Sequence, residues 1–343
     1  MKYRTLGNTG LFVSELCMGA MTFGGKGVFE VIGALGQKEA GLLIDKALDA
    51  GINFFDTANT YAKHESEEIL GKALGNRRKD VIVASKVRFR MTDNVNGVGL
   101  TRHHIMNQVE KSLKALNTDY LDLYQIHGAD PLTPMEETLS ALNDLVRQGK
   151  VRYTGYCNLT AWQAMKALSI SRQNGWAEFK SAQCYYSIAG RELEREIVPM
   201  AQDQNLAILP WSPLAGGFLS GKYTRANEKV DGSRRTNFDF PPINKDKAYD
   251  IIDVMADIAV QHDATVARVA LAWLLHQSGV TSVIIGARKM SQLEDNIKAV
   301  DLQFSEEELK RLDEVSQLAP EYPHWFAGTP TDRYPGSKGW ADA

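Results

Sequence analysis

Val81-Ile82-Val83-Ala84-Ser85-Lys86 is followed by Ile105, Val109, Leu113 and Leu116, and then by Tyr120-Leu121-Asp122-Leu123-Tyr124-Gln125-Ile126-His127. The outer two pieces are short, nearly continuous apolar runs, as strands buried on both faces require. The four apolar residues between them recur at the spacing of one helix face. Strand, amphipathic helix and strand make a parallel βαβ unit. The alternation extends in both directions, with further strands expected at 16–21, 52–57, 151–156, 182–186, 206–211 and 282–285. Met135, Leu139, Leu142 and Val146 mark another helix, and two more are expected at 247–262 and 265–277. At the start, 2–6 and 11–16 flank the turn residues Asn8-Thr9-Gly10 and read as a hairpin.

Eight strands, each followed by helical sequence, predict an α/β fold: a (β/α)8 TIM barrel with an N-terminal β-hairpin and long loops on its C-terminal face. A doubly wound open sheet is the competing architecture. No linker divides the chain, so 1–343 is read as a single barrel domain. Its polar insertions, 88–100 and the Gly- and Arg-rich 216–244, are expected to line the pocket. So is 320–343, an extended C-terminal tail carrying Tyr322, Trp325, Phe326, Tyr334 and Trp340.

A hydrophobic fraction of 44% supplies a large core, and a net charge of -3 gives no reason to expect a nucleic-acid or membrane partner. Cys17, Cys157 and Cys184 are widely spaced on expected strands, which predicts buried, reduced thiols and neither a disulfide framework nor a metal site. With no signal-like N-terminus and no apolar run near the ~20 residues of a membrane span, the cytoplasm is the expected location.

Chemistry in barrels sits at the C-terminal ends of strands. Asp56 closes one strand and Tyr61 follows in the next loop; Lys86 and His127 close two others. Singly, these read as a helix cap, a surface tyrosine, a rim charge and a structural hydrogen-bonder. Together they make a proton-donor relay. A phenol with a reference pKa near ~10 donates poorly unless its anion is stabilised. A lysine ammonium stabilises it, an aspartate holds the lysine charged, and a neutral histidine orients a carbonyl oxygen.

Gly51-Ile52-Asn53-Phe54-Phe55-Asp56-Thr57-Ala58-Asn59-Thr60-Tyr61, then Ser66-Glu67-Glu68-Ile69-Leu70-Gly71, resembles the active-site signature of the aldo-keto reductases. Val83-Ala84-Ser85-Lys86-Val87, Asp119 through His127, Gly149-Lys150-Val151-Arg152-Tyr153 and Trp211-Ser212-Pro213-Leu214 match in order, so the resemblance spans about 3–318. It is to bacterial-type members related to the potassium-channel β-subunit branch. It implies reversible NADPH-dependent reduction of an aldehyde or ketone, with cofactor binding first. Tyr61 is then the general acid in reduction and base in oxidation. Lys86 lowers its pKa, Asp56 pairs with Lys86, and His127 orients the substrate.

The resemblance further implies that Asn158 and Gln183 hold the nicotinamide carboxamide and that Trp211 stacks on its ring. Gly19, Met21 and Asp56 join that end of the cofactor site, with Ser212, Pro213 and Leu214 beside them. Gly216, Gly217, Leu219, Gly221 and Lys222 would lie over the pyrophosphate. Three positions depart from the family pattern: Ala62 replaces a glycine, Gly128 a bulky aromatic residue, and Cys157 a serine. Gly128 suggests room for a secondary or polycyclic ketone.

No G-x-G-x-x-G opens a helix after the first strand, which disfavours a doubly wound dehydrogenase. Gly216 to Lys222 fits G-x-x-x-x-G-K, but Tyr223 stands where a P-loop needs Ser or Thr. Tyr334 and Lys338 match a Tyr-x-x-x-Lys pair that Pro335 and Gly336 keep out of a helix. Gly286 and Arg288, with Gln292, Asp295 and Asn296, follow the last strand, where barrels bind phosphate. Arg288 suits a 2′-phosphate and favours NADPH over NADH. A β-subunit-like NADPH-binding regulator and a Lys86 Schiff-base aldolase are the other readings, and nothing in the sequence opposes a homo-oligomer.

Overall fold

The two-residue period of a strand decides which side chains share the barrel interior. In this computed structural model, which describes residues 1–231 and 233–327, β1 (Tyr3–Thr5) and β2 (Phe12–Ser14) form the antiparallel hairpin. The strands β3 (Leu16–Gly19), β4 (Phe54–Asp56), β5 (Ile82–Val87) and β6 (Leu121–Ile126) then pair in parallel, each with the next. They continue through β7 (Val151–Cys157), β8 (Phe179–Tyr185) and β9 (Ala207–Trp211). β10 (Val283–Ile285) pairs back onto β3. A parallel bridge from Ile208 to Val280 and a 2.9 Å bond from the Thr281 amide to the Ile208 carbonyl draw the last seam together.

Helices α1 (Gln37–Asp49), α2 (Glu65–Leu74), α3 (Arg102–Leu116), α4 (Met135–Arg147), α5 (Ala161–Asn174) and α6 (Ile197–Asp203) follow β3 to β8 in turn. The interval between β9 and β10 holds α7 (Arg234–Asn237), α8 (Lys245–Gln261) and α9 (Val266–His276). After β10 come α10 (Met290–Ile297), α11 (Glu306–Ser316) and α12 (His324–Ala327). No helix among the described residues is long and apolar enough to cross a membrane.

Alternate strand residues divide cleanly. Met18, Phe55, Val83, Tyr124, Ile208 and Ile285 face outward into the main core beneath the helices. Cys17, Phe54, Ala84, Leu123, Leu209 and Ile284 form a separate inner cluster with Leu6 and Val13 of the hairpin. This cluster is the apolar floor of the barrel. Two residues further along the strands come Gly19, Asp56, Lys86, Gln125 and Trp211, so the next inward layer is polar. The three cysteines are buried and free, as expected.

Some boundaries differ from the sequence reading. β8 starts at Phe179, not 182, because Lys180 and Ser181 interrupt an otherwise apolar run while Phe179 is buried. The insertion expected as a loop contains a 3-10 segment, Ala215–Ser220, and α7. The tail turns into α12, with Arg195 bonded to Glu321 and His324 to Glu196. Tyr322, Trp325 and Phe326 are exposed, and Tyr334, Lys338 and Trp340 lie outside the described residues.

A Cβ at Gly71 would fall 2.4 Å from the Leu116 carbonyl oxygen, where α2 meets the end of α3. Gly71→Ala is therefore expected to cost about 1–3 kcal/mol by overpacking, despite alanine's better helix propensity. Urea denaturation measures this, and a midpoint at or above wild type would refute it.

Candidate active site

Asp56, Lys86 and His127 at strand ends and Tyr61 in the loop after β4 come together at one level of the barrel. The Lys86 side chain is completely buried, and its Nζ pairs with Asp56 Oδ1. Nζ also donates to the Thr57 carbonyl at 2.7 Å and to the Tyr61 hydroxyl at 3.3 Å. These three bonds use every donor of the ammonium. The second Asp56 oxygen accepts from Gln183 Nε2 at 2.8 Å and from Gln125 Nε2 at 3.3 Å. Burial is the largest single influence and would lower the Lys86 ammonium, but Asp56, Tyr61 and Cys157 together hold the pKa above its ordinary value.

Burial pushes the Tyr61 phenol up to about 12, although Lys86 pulls it down. Lys86 thus acts in the expected direction without bringing the pKa below its reference value. His127 stands edge-on to Tyr61 with ring centroids 5.8 Å apart. Burial first, then Lys86 and Arg88, hold its imidazole well below the ordinary range, so it is neutral. Its Nδ1 is buried without a partner. Phe29 meets the Tyr61 ring at 5.6 Å and Phe89 meets His127 at 4.8 Å.

Asn158 and Gln183 reach this level from β7 and β8, as the sequence suggested, but both are already bonded. Asn158 donates to the His127 carbonyl at 3.2 Å and accepts from Trp211 Nε1 at 3.0 Å. Gln183 gives its Nε2 to Asp56, so its Oε1 is the atom that could accept from a carboxamide N–H.

Above the pair opens a cavity of about 1170 Å³. That exceeds the roughly 300–1,000 Å³ of a drug-sized site and suits an extended ligand. Gly19, Met21, Asp56, Tyr61, His127, Asn158 and Gln183 line one end, and Trp211-Ser212-Pro213-Leu214, Gly216, Gly217 and Lys222 the middle. Gly286, Arg288, Gln292, Asp295 and Asn296 line the far end. Leu219 and Gly221 do not: the 3-10 segment turns Leu219 into the core, and Gly221 packs against Val266. Gly216 lies at φ 67, and a Cβ there would sit 2.4 Å from the Phe240 carbonyl oxygen. That contact lets the arm before α8 close over the cavity.

Arg234 is the largest omission from the sequence reading. It lines the cavity on α7, its Nε is buried without a partner, and its guanidinium lies over the Phe238 ring at 5.4 Å. Burial and Arg235 oppose its charge. Phe29, Phe89, Arg90, Phe238 and Phe240 also line the cavity. The Arg234-Arg235 pair inside a Gly-rich insertion was the available signal, but such pairs usually face solvent. Among the described residues no cluster suited to a metal ion occurs.

Residues 15–317 match the model of the aldo/keto reductase family. The chain belongs to that family. It is 37% identical over 326 residues to an uncharacterized oxidoreductase of Bacillus subtilis, covering 92% of this chain and 96% of that protein. A putative aryl-alcohol dehydrogenase of Schizosaccharomyces pombe is 35% identical, with 91% and 95% covered. A probable voltage-gated potassium channel subunit beta of Oryza sativa is also 35% identical, with 93% and 98% covered. As an aldo/keto reductase the chain is an oxidoreductase.

Removing one partner of a buried pair leaves an uncompensated charge. Lys86→Met is expected to lower stability by about 3–5 kcal/mol at neutral pH, and Asp56→Asn in the same chain to recover part of it. Urea denaturation of the single and double variants tests this; a double variant less stable than Lys86→Met would refute it.

Proposed function

We propose that this chain uses NADPH to reduce an aldehyde or ketone to the alcohol, reversibly, with Tyr61 as proton donor. The observation that carries the reading is the donor count at Lys86. Because Nζ donates to the Tyr61 oxygen, the phenol's own hydrogen is free for an acceptor in the cavity. In the neutral imidazole with Nδ1 dry, Nε2–H is the donor that can meet the same carbonyl oxygen. As the oxygen gains charge, Tyr61 gives up its proton, and Lys86 stabilises the phenolate. Asp56 keeps that lysine charged and fixed.

The residues fit a nicotinamide dinucleotide phosphate. Its nicotinamide supplies the hydride when bound. The cavity runs from Tyr61 to Arg288, and the unpartnered Nε of Arg234 marks a place for an anion between them. Arg288 lies close enough to Lys222 to oppose its charge, a repulsion that a bound phosphate would offset. Trp211 and Asn158 form one wall for the ring. The second reading, a β-subunit-like regulator with weak turnover, draws support from the Oryza sativa relative. Negligible NADPH oxidation by wild type with 4-nitrobenzaldehyde would favour it.

Tyr61→Phe is expected to lower reductive kcat by about 10²–10⁴-fold while NADPH affinity, read by fluorescence titration, stays within about twofold. Equal loss of binding would refute the assignment. Arg288→Ala is expected to weaken NADPH by about tenfold or more and NADH little, since a charged hydrogen bond contributes about 1.5–3 kcal/mol. Equal weakening of both would remove its 2′-phosphate role.

The raised Tyr61 pKa sets the pH dependence. The acid form needed for reduction persists through neutrality, whereas the base form needed for oxidation grows as pH rises toward about 12. Alcohol oxidation should therefore climb from pH ~7 to ~10 while aldehyde reduction stays nearly flat. Parallel pH profiles for the two directions would contradict this.

A further inference from the structure

The cavity near Tyr61 is walled by aromatic rings. Phe29 lies against Tyr61 and Phe89 against His127. Opposite them, the Trp211 and Phe240 planes are 9° apart at 5.7 Å, and Phe238 meets Phe240 at 5.5 Å. Such walls gain most from a flat ring, through offset and edge-to-face contacts.

The charges on this lining are one-sided. Its only acids among the described residues are Asp56 and Asp295. Asp56 is spent on Lys86, Gln125 and Gln183, and Asp295 on Arg268 and Thr265. Lys222, Arg234 and Arg288 are assigned above to cofactor phosphates. Arg90 remains. It directly follows Phe89 in the loop after β5, so it sits at the substrate mouth, away from Arg288. One of its Nη atoms donates to the Thr92 and Asn94 carbonyls, which fixes the guanidinium while consuming none of its charge. No carboxylate of the described residues pairs with it. A guanidinium held by carbonyls, with donors left over, is suited to bidentate capture of a carboxylate.

We infer that Arg90 is a specificity-determining residue that selects aromatic carbonyl substrates bearing a carboxylate on the ring, remote from the reacting carbonyl. The inference rests on the reductase reading above. The ring fills the aromatic slot, the carbonyl oxygen meets Tyr61 and His127, and the carboxylate meets Arg90 at the mouth.

The test compares 4-carboxybenzaldehyde with its uncharged methyl ester, methyl 4-formylbenzoate, at saturating NADPH. Wild type is expected to show a kcat/KM about tenfold or more higher for the acid, mostly through KM, and to lose that preference at high salt. Arg90→Ala should abolish the preference and leave the ester within about twofold, while Arg90→Lys should keep part of it. Turnover of the ester with no preference for the acid would overturn this inference and leave the reductase reading intact. An equal fall for both substrates in Arg90→Ala would overturn it too. No NADPH oxidation with either substrate would overturn the reductase reading, and the inference with it.

Discussion

A fully buried ammonium has to be neutralised and hydrogen-bonded where it sits, because several kcal/mol of lost hydration must be offset locally. Lys86 meets that demand with Asp56, the Thr57 carbonyl and Tyr61, and Asp56 in turn draws in Gln183 and Gln125. The side chains involved come from β4, β5, β6 and β8 and from the loop after β4. One charge therefore ties strands from much of the barrel together at a single level. A slip of one residue along β5 would put Ser85 or Val87 in place of Lys86 and strand the Asp56 carboxylate. Strand register and the ion pair specify each other, and the apolar layer from Cys17 to Ile284 keeps water from reaching the pair from below.

The same strand also supports the tyrosine from its other face. After Tyr61 the backbone enters the left-handed region for three successive residues, Ala62 at φ 48, Lys63 at φ 54 and His64 at φ 74. For residues other than glycine this costs about 1–2 kcal/mol each. The turn persists because its surroundings over-determine it. The His64 amide donates to the Asn59 carbonyl at 2.8 Å, and the His64 ring meets the buried Glu67 carboxylate at 2.6 Å. The other Glu67 oxygen accepts from Ser85 Oγ. So β5 offers Lys86 inward to the tyrosine's oxygen and Ser85 outward to the carboxylate that holds the tyrosine's loop. Ala62 can replace the family's usual glycine because the clamp, and not backbone freedom, sets the conformation.

Much of this was legible in the sequence, for definite reasons. Continuous apolar strands such as 121–126 and helical stripes such as Ile105, Val109, Leu113 and Leu116 are one-dimensional patterns, and the barrel follows from their order. Asp56, Lys86 and His127 stood out as polar residues closing apolar runs. Gln125 did not, although it bonds Asp56, because a glutamine inside a strand carries no charge to draw attention. Arg234 was hidden because its role depends on how α7 folds back over the barrel mouth, and nothing local in the chain encodes that approach. Leu219 was assigned too much for the converse reason: it belongs to a Gly-rich segment that touches the cavity, but its apolar side chain follows the hydrophobic effect inward. Phe179 fell outside the expected β8 because Lys180 masks the start of that strand.

Tyr61 and His127 are kept uncharged by the same burial that makes Lys86 expensive. The Tyr61 phenol lies near 12 and the His127 imidazole far below its ordinary range, so at neutral pH both present N–H or O–H donors and no net charge. Neutral donors bind a ground-state carbonyl weakly and an oxygen gaining negative charge strongly, which is the difference that accelerates a reaction. The fixed positive charge is held behind the phenol, on Lys86, 3.3 Å from the Tyr61 oxygen, where in the proposed reaction it would stabilise a phenolate. Elsewhere the lining carries the cations Lys222, Arg234 and Arg288. A ligand with phosphates toward one end and an uncharged ring at the other can then lie along the cavity in one direction only, and the polarity of the site follows from where burial permits charge.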